Sequence, residues 1–206
     1  MKGNRIMIGI IILAVIVLAF VGYNIYRQPA MFRNLSDESL SEEQVNTLKE
    51  KIETKEDKQV LVAYLSQSGT TERVANALSE EIGADIFEIA QETEYSNVYL
   101  QSNSQIRNAE LPKLSNTVKN IDKYDIIFIG YPVWWHATPA PVNTFLESYD
   151  LSNKLIIPFC TSGESDISET MPTFLNSSKG LAVYKGMRIN SINQIDTCLS
   201  ELNLNF

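Results

Sequence analysis

The sequence predicts an open, doubly wound parallel α/β sheet, and two observations predict it. From Gln59 onwards, five apolar strand patterns alternate with segments of helical period. The strands also read as unbroken apolar runs, which is what helices covering both faces of a parallel sheet require.

The first strand is QVLVAYL, residues 59–65. A helix is expected over 71–82, where Val74, Ala75, Leu78 and Ile82 share one face and Gly83 stops the chain. ADIFEIA (84–90) reads as the second strand. Residues 92–119 are polar and poorly periodic, with room for at most one irregular helix. YDIIFIG (124–130) is the strongest strand pattern in the chain, and TPAPVNTFLESY (138–149) a helix with Pro near its first turn. KLIIPFC (154–160) is the fourth strand, 165–177 a helix, LAVYKGMRI (181–189) the fifth strand and 193–203 the closing helix.

The chain ahead of this alternation is different. Ile6 to Tyr23 holds no charge and no Pro over 18 residues, close to the ~20 that cross a bilayer. Lys2 and Arg5 precede it, and Tyr23, Tyr26 and Arg27 follow where interfacial anchors sit. With no polar second face and no clean A-x-A site, it is expected to be an uncleaved anchor rather than a core helix or a signal peptide. The expected organisation is a membrane anchor over 1–28, a polar stalk over 29–57 and the α/β domain over 58–206. Within the stalk, Ser41 with Gln44 forms a capping box ahead of a thin stripe of Val45, Leu48 and Ile52, which predicts a short helix spacing the domain from the membrane. The basic residues on the two sides of the anchor nearly balance. The short basic start favours a cell-membrane, single-pass arrangement with the domain on the extracytoplasmic side.

Composition excludes several function classes. The 206 residues carry a net charge of −8, and Lys2, Arg5, Arg27 and Arg33 all precede Asn34. The other 13 of the 17 basic residues therefore face all 25 acidic ones, and a nucleic-acid footprint is missing. Cys160 and Cys198 form no C-x-x-C; they are read as ordinary half-buried thiols, with a bridge between them as the alternative. With one histidine, His136, and no metal-ligand spacing, neither a metal site nor a catalytic triad is expected.

In such sheets ligands bind beyond the carboxyl ends of the strands. Three loops there stand out. SQSGTT, comprising Ser66, Gln67, Ser68, Gly69, Thr70 and Thr71, runs from the first strand into a helix. A helix N-terminus with a Gly and four hydroxyls suits an anion. Without the Lys of a P-loop or a G-x-G-x-x-G, that anion is expected to be a terminal monophosphate. GYPVWWHATPAP follows the third strand and places Trp134 and Trp135 in a loop, where large aromatics make a stacking surface or a partner contact. CTSGESDI follows the fourth strand with small polar residues. A phosphate pocket, an aromatic platform and a polar backbone loop together describe a flat ring on a phosphorylated tail.

The motifs SxSGxT, GYPxWW…P…TFLESYD and PFCTSG together resemble the flavodoxin family, over about residues 59–189, and most closely a bacterial flavodoxin-like branch bearing GYPxWW. The resemblance implies a flavodoxin-like fold and non-covalent FMN. It implies that Ser66 to Thr71 wrap the phosphate. Pro132, Val133, Trp134, Trp135 and His136, with Thr161, Ser162, Gly163, Ser165 and Asp166, would bracket the isoalloxazine, Trp134 being the stacking ring. The sequence departs from the family pattern at Thr70, where Asn is usual, and at His136 and Asp166, where Gly is common. His136 reads as a solvent-facing loop residue. Asp166 is either an acid beside the ring, which would lower the second reduction potential, or the N-cap of the following helix.

The expected function is membrane-tethered electron transfer on FMN, with a redox protein or a small acceptor as partner. Two alternatives stand beside it. One is an NAD(P)H-dependent FMN reductase acting on quinone-like acceptors, for which no second nucleotide fingerprint is present. The other is a cofactor-less interaction module of the same fold, against which the intact SQSGTT loop argues.

Overall fold

The computed structural model describes Met7, residues 11–20 and residues 39–206. Of the expected anchor, residues 6–23, the description covers Met7 and residues 11–20; the start of the stalk, residues 29–38, lies outside the described residues. Residues 11–20 are helical and exposed. Among the described residues, no helix is long and apolar enough to cross a membrane.

The strands are β1 (Val60–Tyr64), β2 (Asp85–Glu88), β3 (Ile126–Pro132), β4 (Leu155–Thr161), β5 (Ala182–Val183) and β6 (Met187–Arg188). They form one sheet in the order β2-β1-β3-β4-β5, with β6 also on β4 and every pairing parallel. The helices are α1 (Glu42–Glu53), α2 (Thr70–Ile82), α3 (Val98–Asn108), α4 (Ala140–Ser148), α5 (Met171–Ser177) and α6 (Ile195–Leu202). The doubly wound parallel sheet expected from the sequence is therefore present.

The unbroken apolar strands divide with period two. Val60, Val62 and Tyr64 join Phe128, Ile157 and Phe159 on one face, under Val74, Ala75 and Leu78 of α2 and Ile195 and Leu202 of α6. Leu61, Ala63, Ile127, Ile129 and Tyr131 build the other face with Val142, Phe145 and Leu146 of α4 and Phe174 of α5. Gly130 is set by this packing. It lies opposite Phe159 in register, and a Cβ there would fall 2.1 Å from the end of that ring.

The segment expected to act as a spacer contributes a helix to the domain itself. The capping box forms: Ser41 N donates to Gln44 Oε1 at 3.0 Å and Gln44 N to Ser41 Oγ at 3.3 Å. Val45 and Ile52 then bury on the same core face as α2 and α6.

The fifth strand differs from expectation by being broken in two. Tyr184 N donates to Ile156 O and Ile189 N to Cys160 O, so these residues of β4 face the edge strand. By alternation Pro158 faces it too, and it has no N–H to offer. Two residues of β4, Ile157 and Pro158, then lie opposite Tyr184, Lys185 and Gly186, a one-residue bulge where a ladder bond is missing.

Candidate functional site

The SQSGTT loop leaves β1 and enters α2 through Gly69, whose φ of +80° is the left-handed region that favours glycine. Gly69 N donates to Ser66 Oγ at 3.1 Å, which folds the loop back on itself. No side chain caps α2. Its ladder starts with Arg73 N donating to Gly69 O at 3.1 Å, so the amides of Thr70, Thr71 and Glu72 precede the first helical bond. Ser68 Oγ and Thr70 Oγ1 lie 3.4 Å apart at this helix start. Thr71 turns inwards, and its hydroxyl meets that of Thr161 at 2.8 Å in a buried contact joining the first loop to the end of β4.

The loop after β3 is a tight turn. Ala137 N donates to Trp134 O at 2.9 Å and Trp134 N to Ala137 O at 3.4 Å. The two central residues, Trp135 at φ +55° and His136 at φ +59°, both occupy the left-handed region. That is the type I′ geometry usually given to Asn-Gly, and each non-glycine residue in it costs roughly 1–2 kcal/mol. Side-chain contacts hold the turn on two sides. Trp135 Nε1 donates to Ser102 Oγ at 3.2 Å and its ring packs on Tyr99 with centroids 4.4 Å apart, both partners lying on α3. His136 Nδ1 pairs with Glu169 Oε2, beyond the end of β4. Trp134 meets Tyr95 edge to face at 5.6 Å.

The loop after β4 is fixed by groups from the fifth-strand region. Ser162 N donates to Asn190 Oδ1 at 2.9 Å, and Arg188 Nη1 donates to Glu164 O at 3.1 Å and Ser165 O at 3.4 Å. Asp166 is the N-cap of a single 3-10 turn, Ile167–Glu169, which is one of the two readings of this residue. It accepts from Ser168 N at 3.0 Å, and that amide together with the Ser168 hydroxyl holds its carboxyl below the usual carboxylate range. Glu169 closes the box, accepting from Asp166 N at 3.1 Å. Its own carboxyl is drawn down chiefly by the His136 imidazole. Behind these loops, burial pushes the Cys160 thiol up to about 12, an inert thiol by environment. Both cysteines are free.

The loops meet around a groove of about 470 Å³, lined by Ser68, Thr70, Pro132, Val133, Thr161, Ser162, Gly163 and Asn190. That volume falls within the range of small-molecule sites. Of the sequence-derived candidates, seven line this groove. Ser66, Gly69 and Thr71 shape the first loop behind it, Gln67 sits exposed within that loop, and Trp134, Trp135, His136, Ser165 and Asp166 are not among the lining residues. Asn190 was absent from the sequence-derived set, although it follows the fifth strand at the same carboxyl edge where the other loops were found. Tyr95, Tyr99, Ser102 and Glu169, which hold the second loop, carry no motif. Among the described residues no cluster of His, Cys, Asp and Glu is arranged to hold a metal.

The family comparison matches residues 59–201 to a flavodoxin family described as Flavodoxin. Among solved structures, a candidate flavoprotein from Bacteroides eggerthii is 31% identical, with a TM-score of 0.68 over 72% of this chain and 100% of its own. A second candidate flavoprotein, from Bacteroides uniformis, is also 31% identical, with a TM-score of 0.66 over 70% and 99%. A flavoprotein from Lactobacillus acidophilus, solved in complex with FMN, is 26% identical, with a TM-score of 0.58 over 68% and 98%. A search of curated proteins finds no match. The matched span runs from the start of β1 into α6 and contains all three loops that form the groove, and on it the chain belongs to the flavodoxin family.

Proposed function

We propose that the chain binds FMN in the groove and serves as an electron carrier tethered to the membrane by residues 6–23, with its domain on the extracytoplasmic side. The observation that carries the reading is the start of α2. It has no side-chain cap, it is flanked by the Ser68 and Thr70 hydroxyls, and it opens into a groove that continues to the β3 and β4 loops.

The residues present fit this group. A phosphate at the start of α2 would accept from the amides of Thr70 and Thr71 and from hydroxyls, and the positive end of the helix dipole would favour its charge without a lysine. Pro132 and Val133 offer apolar surface to the groove, and Thr161, Ser162 and Gly163 offer backbone to it. Bound FMN would supply the redox chemistry, while the protein supplies binding, orientation and tuning of potential. Asp166 and Glu169 keep carboxylates at the third loop, and an acid there disfavours added negative charge on a neighbouring ring. The L. acidophilus relative, solved with FMN, supports the assignment. The partner is proposed to be a redox protein or a small electron acceptor, with no role for nucleic acid.

The test is uptake of FMN by the purified chain in detergent, followed by visible absorption and by quenching of flavin and tryptophan fluorescence. Stoichiometric, quenched flavin is the expected result. No uptake at micromolar FMN would refute the reading. Labelling of the domain from the outside of intact cells tests the orientation.

A further inference from the structure

We infer that Glu169 is a positioning residue that clasps together the two loops bracketing the flavin; this rests on the FMN reading above. Its two carboxylate oxygens are divided between the loops. Oε1 accepts from Asp166 N at 3.1 Å and closes the capping box that shapes the loop after β4. Oε2 pairs with His136 Nδ1, at the centre of the turn after β3.

The position of the turn makes this division consequential. Trp135 and His136 hold two successive left-handed conformations, so the turn needs outside contacts to persist. On one side Trp135 is tied to Ser102 and Tyr99. On the other, Glu169 meets the turn through His136. Beneath the clasp, a buried seam joins the same two segments: Tyr131 and Thr170 hydroxyls at 3.0 Å, Thr138 N donating to Thr173 Oγ1 at 2.8 Å, and Thr138 Oγ1 donating to Thr170 O at 3.2 Å. The seam fixes the base of the turn. The His136–Glu169 pair carries the same junction outwards to the turn's tip, where the His136 side chain is 77% exposed and Glu169 35% exposed. The clasp therefore sets the spacing of the loop tips on the two sides of the ring rather than the stability of the fold.

The test uses four proteins: wild type, E169Q, H136G and the double variant. The E169Q side chain keeps a carbonyl oxygen for Asp166 N, so the cap and the fold are retained. Three readouts are taken: the FMN dissociation constant, the visible circular dichroism of bound flavin, and the imidazole nitrogen resonances of the apoprotein, unambiguous because His136 is the sole histidine. In wild type, E169Q is expected to weaken FMN binding about two- to fivefold, the range for an exposed pair, and to change the flavin dichroism. In the H136G background the same change is expected to have no effect. The imidazole resonances should move in E169Q without any flavin present. Equal losses in both backgrounds, or an imidazole indifferent to E169Q, would overturn the inference while leaving FMN binding intact. Wild-type protein that takes up no FMN, with an imidazole that still responds, would instead refute the FMN reading. The positioning role would fall with it and only a loop clasp would remain.

Discussion

Replacing Ile52 by Ala measures whether α1 belongs to the domain or merely spaces it. Ile52 is 2% exposed and shares its core cluster with Val45, Leu155, Ile157 and Ala182. Truncating a buried Ile to Ala removes its transfer free energy and leaves a cavity, at a cost of about 2–5 kcal/mol. The higher helix propensity of Ala returns a few tenths of that, roughly 0.3–0.5 kcal/mol. A net loss of about 2–4 kcal/mol is expected, a large share of the ~5–15 kcal/mol that holds a domain together. Urea unfolding followed by tryptophan fluorescence reads it directly. With m near ~2 kcal/mol/M, the midpoint should fall by about 1–2 M at unchanged m. Glu50→Ala, at an exposed position on the same helix, is the control and should stay within about 0.5 kcal/mol. If Ile52→Ala also costs under about 0.5 kcal/mol, α1 does not dock and the packing argument fails. The outcome also sets where a soluble fragment should begin: at Ser39, ahead of the capping box, rather than at Lys55 beyond it.

Gly130→Ala should cost about 1–3 kcal/mol or more by overpacking, because the new methyl falls within 2.1–2.7 Å of the Phe159 ring. Phe159→Leu in the same chain should recover part of the loss, and equal stability of Gly130→Ala and wild type would refute the close approach. For pH, the Lys123 ammonium and then the Tyr124 hydroxyl hold the Asp85 carboxyl below its usual value. A carboxyl depressed in the folded state contributes stability above its unfolded value and loses it as pH falls through the folded value. Asp85→Asn should therefore lower the unfolding free energy at neutral pH and converge with wild type only as the pH falls through the depressed folded value. Unfolding curves of the two proteins that keep a constant offset through that fall in pH would sink the assignment.

The parts of the fold that could be read in the sequence are those where one residue pattern admits one structure. An apolar run such as YDIIFIG must be covered on both sides, and β3 is buried along six of its seven residues. Gly83 after a helical stripe announces a left-handed cap, and it takes φ +65°. The broken fifth strand was harder to read because its cause lies in another strand. LAVYKGMRI is an acceptable strand by itself, and only the register of β4 shows that Pro158 turns its missing N–H towards it. The docking of α1 was hidden for a related reason. Three apolar residues at helical spacing describe a thin stripe, but not whether a partner surface exists for it.

The site divides along the same line. Ser68, Thr70 and Thr161 to Gly163 were legible because chemistry and place coincide: small polar residues at strand ends, facing one groove. The second loop carried its signal in residue type and hid its conformation. Two tryptophans between prolines suggested a platform, yet the chain folds them into a turn whose geometry ordinarily calls for Asn-Gly. Within PVWWHA only the two backbone hydrogen bonds between Trp134 and Ala137 close the turn, and its side-chain support lies elsewhere. It comes from Ser102 and Tyr99 on α3, in the stretch that looked least structured, and from Glu169 in the loop after another strand. His136 at the position where the family pattern has Gly is thus not an isolated departure. A glycine there would relieve the left-handed backbone but offer nothing for Glu169 to hold. With histidine, the turn carries the conformational cost and gains a side chain that ties it to Glu169 beyond β4.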